Sequence, residues 1–518
     1  MSRCRCRSRA TLVLAAAVLA AATGCSSSTP AHPSHATAGR AVNDVVVENA
    51  RVGTAGWQLT RVGSAHEIEG WADRTSVLTG QPFGLHVSTT ASSYTVHAVR
   101  IGWYGGRLGR QVWASPALTG VQQQPPRIVG SVHTVLTSWP VSTMVPTRGW
   151  PAGNYLLRLD ASSGARRYVP IQLRRPSAAG SVVIVSADTT WQAYNAYGGY
   201  SLYHGPDGAT ASRARVVSFD RPYGTETGQG ASEYMENMRP LVSLAEKLGL
   251  PVDYVSDLDL DRDLHLLNGA RAVVLTGHDE YWSAAMRQAL LDARTHGTNL
   301  AFMGANSGYR HIRLQPSSSG PDRLEVCYKN PAEDPVTAAN PSQATGQWRN
   351  PPDPRPESAL TGAFYQSNPV KADLVVVDPH SWLLAGTGTH AGSVLPGLVA
   401  PEYDRVDLSV PTPRPIEVLS HSPLVVHGRR DFSDSAYYTV ASGAGGFDAG
   451  SIAWINSLQG GNGPVATAYT TTVTTNLLTA FGAGPAARTH PAHDNVTAFY
   501  ILEAQAAAGP AGRTVISR

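Results

Sequence analysis

The segment Gly-His-Asp-Glu-Tyr-Trp at residues 277–282 places an imidazole and a carboxylate two positions apart. It follows a short apolar run, residues 272–275, of the kind that forms a buried strand. A strand that stops at a glycine and then presents His278 and Glu280 can aim both side chains at one point above a sheet. Such a pair is suited to ligate a metal ion or to act as an acid and a base. A His-x-Glu pattern alone is weak evidence for a catalytic or metal site. Its significance depends on where the fold places the two side chains.

Five short apolar runs predict a parallel sheet that is buried on both faces. They cover residues 182–185, 216–219, 252–255, 272–275 and 300–303. Helices are expected between them, one within residues 233–248 that begins or kinks at Pro240, and one that starts at a Ser283 cap and ends at Gly297. Alternating buried strands and helices predict a doubly wound α/β domain over residues 178–315.

Ligands of such sheets bind at the carboxyl ends of the strands, where the loops meet. Each apolar run here is followed by polar and aromatic residues. The predicted pocket residues after these runs are Asp188, Trp191, Tyr194, Asn195, Tyr197, Tyr223, Asp279, Asn306 and Tyr309. For any single segment, turn formation or helix capping is an equally good explanation, and it is the one given to Asp257 and Asp259.

The α/β region is flanked on both sides by β-type sequence. Residues 45–175 alternate polar and apolar positions between turn clusters, which predicts a β-sandwich. Residues 316–485 return to short alternating runs in long Pro- and Gly-rich connections. They predict a mostly β region packed on the α/β domain, with a closing helix around residues 476–478 and a tail over residues 486–518.

The amino terminus has the pattern of an export signal. Four arginines precede a short apolar run, and residues 22–25, Ala-Thr-Gly-Cys, resemble the lipobox of bacterial lipoproteins. Residues 1–25 are therefore predicted to be a signal peptide and Cys25 the lipidated residue, with ordinary signal cleavage nearby as the alternative. Residues 26–44 are predicted to be a disordered tether. The expected location is the outer face of the cytoplasmic membrane, reached through the lipid anchor alone.

Composition excludes some classes of function. The net charge is only +3, and no basic run exists that could follow a phosphate backbone, which argues against a nucleic-acid partner. After processing and lipidation of Cys25, Cys327 is the one free cysteine left, so no disulfide framework is expected. A buried structural thiol is a better interpretation of Cys327 than a nucleophile. The sequence predicts no oligomeric state.

Several motifs together resemble one enzyme family. They are residues 101–106, 190–195, 218–223, 277–282 and 304–309. As a set they are similar to the large-subunit family of N,N-dimethylformamidase. The resemblance implies a glutamine-amidotransferase-like α/β domain with β regions on either side.

The same resemblance implies a mononuclear iron held by two tyrosines and one glutamate, with a histidine nearby. On matching positions, Glu280 would be the carboxylate ligand, His278 the base, and Tyr194 and Tyr223 the phenolates, with Tyr197 competing for the first tyrosine position. Phenolate and carboxylate oxygens suit ferric iron, and a divalent metal ion is the alternative. The tyrosines could instead be aromatic packing with hydrogen-bonded hydroxyls.

Two classes of function follow. The first is a metal-dependent hydrolase of a C–N amide bond, acting on a small-molecule amide or a cell-wall-derived substrate. The second is a non-catalytic surface lipoprotein that binds polysaccharide or cell-wall fragments through exposed tryptophans such as Trp103, Trp113 or Trp191. A serine or cysteine hydrolase ranks last, because the turns after the strands lack a Gly-x-Ser-x-Gly elbow or a cysteine equivalent.

Overall fold

The computed structural model describes residues 43–225 and 228–499. The predicted signal peptide, Cys25, nearly all of the tether and the end of the tail lie outside these residues. Within them the protein is a mixed α/β structure, in which strands of several sheets outnumber the helices. No helix in this part of the chain is long and apolar enough to cross a membrane.

The strands in chain order are β1 (Ile68–Ala72), β2 (Ser76–Leu78), β3 (Phe83–Thr89), β4 (Ser93–Ile101), β5 (Gly109–Ala114), β6 (Leu118–Thr119), β7 (Arg127–Val129), β8 (Thr134–Leu136), β9 (Thr143–Val145), β10 (Gly153–Ala161), β11 (Arg166–Arg174), β12 (Val182–Ser186), β13 (Val216–Ser218), β14 (Val252–Ser256), β15 (Ala272–Leu275), β16 (Tyr281–Ser283), β17 (Asn299–Phe302), β18 (Arg310–Ser317), β19 (Gly320–Val326), β20 (Gly346–Gln347), β21 (Phe364–Ser367), β22 (Ala372–Val375), β23 (Val394–Val399), β24 (Tyr403–Arg405), β25 (Ile416–Val426), β26 (Arg429–Thr439) and β27 (Gly445–Asp448).

The helices are α1 (Asp44–Asn49), α2 (Asp188–Tyr194), α3 (Tyr234–Asn237), α4 (Arg239–Lys247), α5 (Asp257–Arg262), α6 (Ala284–Thr295), α7 (Ser358–Thr361), α8 (Ala453–Ser457) and α9 (Gly463–Ala483). The predicted helix near Pro240 is present as α3 and α4, with a break at Met238. Ser283 caps α6 as expected, because its side chain accepts from Met286 N. Asp259 forms a capping box with Ser256 at the start of α5.

Most of the amino-terminal strands form two facing sheets, and β7 and β8 pair separately. One has the order β1-β3-β9, and the other has the order β2-β11-β10-β4-β5 with β6 paired to β4. Inward residues of both sheets, such as Leu85 and Leu157, share one apolar core. Leu156 faces the opposite way and packs into the core of the α/β region. The larger sheet is therefore buried on both faces, because its outer face lies against the next part of the chain.

A seven-stranded sheet with the order β14-β12-β15-β17-β27-β26-β25 forms the centre. Its first five strands are parallel. Val182 and Ile184 of β12 pack with residues of α4 and α9, while Val183 and Val185 pack with residues of α5 and α6. The prediction of strands buried on both faces is confirmed for β12.

The prediction was wrong for the run at residues 216–219. Strand β13 pairs antiparallel with β19, in a separate sheet of the order β13-β19-β18-β16. A short apolar run indicates a buried strand but carries no information about which sheet it joins. Tyr223 therefore follows a strand of this separate sheet, although the charges of Asp188 and Asp257, at the ends of β12 and β14, still reach it.

The carboxyl-terminal region is joined to the central sheet more closely than the sequence predicts. Strand β27 pairs parallel with β17, and β26 and β25 continue the sheet antiparallel. The predicted closing helix is present as α9, which contains residues 476–478. Residues after about 316 thus complete the same sheet and cover it. The glutamine-amidotransferase-like plan of the domain stays a prediction.

Candidate active site

Two loops meet at the carboxyl edge of the central sheet. The loop after β15 carries His278 and Glu280, and the loop after β17 carries Asn306. A Cβ placed on Gly304 would lie 1.6 Å from the carbonyl oxygen of Gly277, so only glycine lets the two backbones approach this closely. This contact brings the two predicted functional segments side by side.

Three oxygen-bearing side chains converge at this edge. The Tyr194 hydroxyl, at the end of α2, donates to Glu280 Oε2 at 2.8 Å. The Tyr203 hydroxyl lies 2.7 Å from the same Oε2 atom and 2.7 Å from the Tyr194 hydroxyl. We call Tyr194, Tyr203 and Glu280 the oxygen cluster. The oxygens of two phenols and one carboxylate thus lie within hydrogen-bond distance of one another.

Neighbouring groups hold the oxygen cluster in place. Arg310 Nε lies 3.2 Å from Glu280 Oε1, on the side away from the tyrosines. The Glu280 backbone N–H donates to Thr190 Oγ1 at 2.9 Å, which ties the loop to α2. The Tyr281 hydroxyl lies 2.7 Å from that of Tyr203. Glu280 is 2 % exposed, so its carboxylate is fixed and desolvated.

The surroundings keep Glu280 ionised and the phenols neutral. Burial alone would raise the pKa of Glu280, but the His278 imidazole and the charges of Arg310 and Lys329 outweigh it and lower that pKa to about 2. Burial and the Glu280 charge raise the pKa values of Tyr194 and Tyr203 well above their usual range. The phenols of the oxygen cluster therefore ionise at neutral pH only beside a cation.

His278 lies between carboxylates on two sides. Its Nδ1 lies 3.2 Å from Glu233 Oε2, and its Nε2 lies 3.7 Å from Glu280 Oε2. Burial would lower the pKa of His278, but the charge and hydrogen bond of Glu233, together with the nearby carboxylates of Glu280 and Glu402, raise it well above its ordinary value. Among the described residues Nε2 has no hydrogen-bond partner. With Nδ1 against Glu233, Nε2 is the ring nitrogen that is turned toward the oxygen cluster.

Glu402 adds a third carboxylate near His278, after Glu233 and Glu280. Its Oε2 accepts from Asn306 Nδ2 at 2.7 Å, and its Oε1 accepts from Asn368 Nδ2 at 3.0 Å. Burial, with the opposing charge of His278, brings the pKa of Glu402 to about 6. A carboxyl group with that pKa exchanges a proton readily near neutral pH.

The structure places the other predicted pocket residues in different settings. Tyr309 packs edge-on against Tyr365, with ring centroids 4.9 Å apart, and the Glu280 and Glu402 charges reach it. Asn195 caps α2 and donates to the Pro222 carbonyl at 2.9 Å, so its contacts are those of a turn residue.

Tyr197 and Tyr223 lie outside the oxygen cluster. The Tyr197 hydroxyl donates to Glu69 Oε1 at 3.0 Å. Tyr223 packs edge-on against Trp191 with ring centroids 6.4 Å apart. Both tyrosines line a separate pocket of about 140 Å³ together with Glu69. The position predicted for Tyr223 beside Glu280 is taken by Tyr203.

The tryptophans proposed for sugar stacking are not freely exposed. Trp191 is 1 % exposed and packs edge-on against Tyr234. Trp103 and Trp113 are half-buried, and Lys247 Nζ lies 4.8 Å from the Trp103 ring. Trp191 is therefore closed to a sugar ring, whereas Trp103 and Trp113 keep part of their surface exposed.

Cys327 is fully buried, and burial raises the pKa of its thiol to about 11. The interpretation of Cys327 as a structural thiol is confirmed.

Three buried aspartates follow the strands β12, β14 and β15. They are Asp188, Asp257 and Asp279. Even Asp188, the most exposed of the three, is only 4 % exposed. Burial, with the charges of Asp259 and Asp279, raises the pKa of Asp188 to about 8, and burial raises the pKa of Asp279 to about 7 against the opposing effects of Trp282 and His278. Asp257 Oδ1 and Asp279 Oδ2 have no hydrogen-bond partner among the described residues. Burial therefore favours the protonated form of these acids in the folded protein.

This cluster predicts a pH dependence of stability. Between about pH 4 and pH 8 the folded chain binds more protons than the unfolded chain, so the free energy of unfolding falls as pH rises through that window. We expect Asp188→Asn to be more stable than the wild type at pH 8 by about 2 kcal/mol, since one pKa unit corresponds to about 1.4 kcal/mol and the cluster shares its protons. The difference should vanish near pH 4. Urea unfolding at both pH values measures it, with the exposed Asp263→Asn as control.

Sequence reasoning missed Tyr203, Glu233 and Glu402. Tyr203 lies in an irregular loop between α2 and β13, where no periodic pattern marks it. Glu233 was considered only as the start of a helix, and Glu402 follows β23 in a region without recognised motifs. A cluster of tyrosines at residues 194–203, close to a predicted strand end, was the one available signal.

The donor set decides whether a metal ion fits here. Within the part of the chain that the structure describes, no group of three or more His, Cys, Asp or Glu side chains is arranged to hold a metal ion. The oxygen cluster has one carboxylate and two phenols, with separations of 2.7 and 2.8 Å. Oxygens around an octahedral ion at about 2.1 Å lie about 3 Å apart. The spacing of the oxygen cluster therefore fits a hard cation. Two of the three donor oxygens belong to Tyr194 and Tyr203, so the site depends on both phenols.

A mixed α/β sheet with an acid, an imidazole and phenols at its carboxyl edge is the arrangement of an enzyme-type site. The family model N,N-dimethylformamidase beta subunit-like, C-terminal, matches residues 95–468. This chain belongs to that family.

Comparison with other proteins adds little. No curated protein matches the chain. A solved structure of a Paenibacillus sp. cycloisomaltooligosaccharide glucanotransferase, complexed with cycloisomaltoheptaose, is 12 % identical over 24 % of this chain and 16 % of that one, with a TM-score of 0.15. This chain therefore matches only about a sixth of that protein's length, and a likeness of this extent carries no functional argument.

Proposed function

We propose that this protein is a metal-dependent hydrolase that cleaves a C–N amide bond. The expected ion is ferric iron, and a divalent metal ion is the alternative. Membership of the N,N-dimethylformamidase-like family supports a hydrolase-type function. The observation that carries the proposal is the convergence of Tyr194, Tyr203 and Glu280 on one point beside His278.

The oxygen cluster would hold the ion. Phenolate and carboxylate oxygens are hard donors and suit a highly charged cation. When bound, such a cation polarises an amide carbonyl and lowers the pKa of a coordinated water. Arg310 keeps the second oxygen of Glu280 engaged, so the carboxylate presents Oε2 to the cluster.

Two other side chains would manage the protons. Glu402, with a pKa near neutrality, is suited to accept the proton of the attacking water. His278, whose Nε2 is turned toward Glu280, is suited to donate a proton from that atom to the departing nitrogen. The family resemblance implies the role of base for His278, whereas the contact of Nδ1 with Glu233 and the approach of Nε2 to Glu280 suit it to donate a proton.

The proposed reaction balances as follows. The water oxygen bonds to the carbonyl carbon, one water proton passes to Glu402, and the C–N bond breaks as the nitrogen takes the His278 proton. The products are a carboxylic acid and an amine. Glu402 returns its proton to His278 through solvent after the products leave.

Substitution of two tyrosines tests the ligand set. We expect Tyr203→Phe to lower the affinity for ferric iron by about 10–100-fold and to weaken the phenolate-to-iron absorption band. Tyr223→Phe should leave both unchanged, because Tyr223 lies in a different pocket. Iron titration followed by absorbance measures both variants. If Tyr223→Phe loses iron and Tyr203→Phe does not, the ligand assignment proposed here is wrong.

We also propose that the chain is exported and lipid-anchored through Cys25 on the outer face of the cytoplasmic membrane. The lipobox-like residues 22–25 support this location. The substrate would then be a small amide or a cell-wall-derived amide that reaches the cell surface. Metabolic labelling with a lipid precursor, compared between the wild type and Cys25→Ser, tests the anchor.

A further inference from the structure

Glu233 contacts the Nδ1 edge of the His278 ring, on the side opposite Nε2 and the oxygen cluster. Its two carboxylate oxygens lie 3.2 and 3.3 Å from His278 Nδ1. Because a carboxylate only accepts hydrogen bonds, Nδ1 must be the donor. This leaves Nε2 as the ring nitrogen that faces Glu280.

Glu233 is itself fixed by its neighbours. Asn237 Nδ2 donates to Glu233 Oε2 at 2.8 Å, across α3. The Asn237 backbone carbonyl accepts from Gly277 N at 3.1 Å, one residue before His278. The helix turn that carries Glu233 and the loop that carries His278 are therefore bonded to each other at two points.

Folding alone gives no reason for an acid at this position. The Glu233 side chain is 19 % exposed, whereas His278 is 6 % exposed, so solvent could satisfy the Glu233 carboxylate without the imidazole. The imidazole, in contrast, would have a second ring orientation available if Nδ1 had no acceptor. The contact constrains His278 more than it constrains Glu233.

We propose that Glu233 is a positioning residue, which holds the His278 ring so that Nε2 faces the oxygen cluster and the substrate. The expected effect of Glu233 on catalysis rests on the proposed function. Its effect on the orientation of the His278 ring does not. An acceptor that fixes one nitrogen of a functional histidine sets both the tautomer and the orientation of the ring.

The structural consequence is tested in the full chain before iron is added. In protein labelled with ¹⁵N-histidine, with the His278 signals assigned through His278→Gln, the Nδ1–H signal should be slow to exchange with water. Glu233→Ala should lose this signal. Glu233→Gln should keep it, because its carbonyl oxygen can accept from both Asn237 and His278. Glu236→Gln, an exposed acid on the same helix, is the matched control.

The kinetic consequence is tested in the iron-loaded enzyme with an amide substrate. We expect Glu233→Ala to lower kcat by about 10–100-fold with KM nearly unchanged, and Glu233→Gln to recover most of the loss. Iron content should be equal in all variants, because Glu233 is not a member of the oxygen cluster. Asn237→Ala should give a smaller loss of kcat and serves if Glu233→Ala does not fold.

The outcomes separate the two proposals. An unchanged Nδ1–H signal in Glu233→Ala, or an unchanged kcat in an active enzyme, overturns the positioning role. A lost signal in a protein whose wild type hydrolyses no amide overturns the proposed function and leaves the positioning of His278 intact.

Discussion

A Glu280→Gln variant is expected to fold but to lose bound iron and to hydrolyse amides about 10³-fold more slowly, a loss of about 4 kcal/mol in transition-state stabilisation. Glu280 supplies the negative charge of the oxygen cluster, since burial keeps both phenols neutral until a cation arrives. Glutamine has nearly the same shape but carries no charge. The variant therefore removes the electrostatic part of the site and leaves its packing in place.

The same substitution also disturbs Arg310. The glutamine amide can still accept from Tyr194 and Tyr203 at one atom, but its NH₂ group then faces Arg310 Nε in place of Oε1. Arg310 is 15 % exposed, so the lost partner costs about 1–3 kcal/mol of stability. A folded variant is expected, because this cost is below the stability of an ordinary domain.

Metal analysis, thermal unfolding and an amide-hydrolysis assay measure the three expected effects together. Glu236→Gln is the matched control, because it changes an exposed glutamate on α3 in the same way. A Glu280→Gln protein that retains stoichiometric iron would show that the metal is held elsewhere. The proposed mechanism could not survive that result.

Glu280 and His278 could be found from sequence because their positions depend on local order alone. A buried strand, a glycine and a two-residue spacing fix where both side chains emerge, and the structure brings them together as expected. Tyr194 was accessible by the same reasoning, since it ends the helix that follows β12.

Tyr203 could not be found in this way. Its position depends on an irregular loop that folds back over the sheet, and its contacts with Tyr194 and Glu280 are tertiary. Tyr223 misled the prediction for a related reason: the run before it forms β13, which joins β19 instead of the central sheet. Apolar patterning specifies burial, whereas pairing between distant strands depends on partners that one segment does not reveal.

The contact between the sandwich and the α/β region has an equally specific chemical basis. Arg100, on β4, places Nη2 2.6 Å from Oε1 of Glu246 on α4, and both side chains are almost completely buried. Arg100 Nη1 also donates to the Tyr104 hydroxyl at 3.0 Å, and Asn49 Nδ2 donates to Glu246 Oε2 at 2.8 Å. The pair is fully hydrogen-bonded, so each partner depends on the other.

We expect Arg100→Met to lower the free energy of unfolding by about 3–5 kcal/mol, because it leaves the Glu246 carboxylate buried without its counter-charge. The double variant Arg100→Met/Glu246→Gln should recover a large part of the loss, since it removes the uncompensated charge. Arg262→Met, which breaks a partly exposed pair with Asp322, should cost less than about 1 kcal/mol. Denaturant unfolding of the three variants measures these differences. If Arg100→Met costs no more than Arg262→Met, the buried pair does not stabilise the contact, and apolar packing through residues such as Leu156 must hold the two regions together.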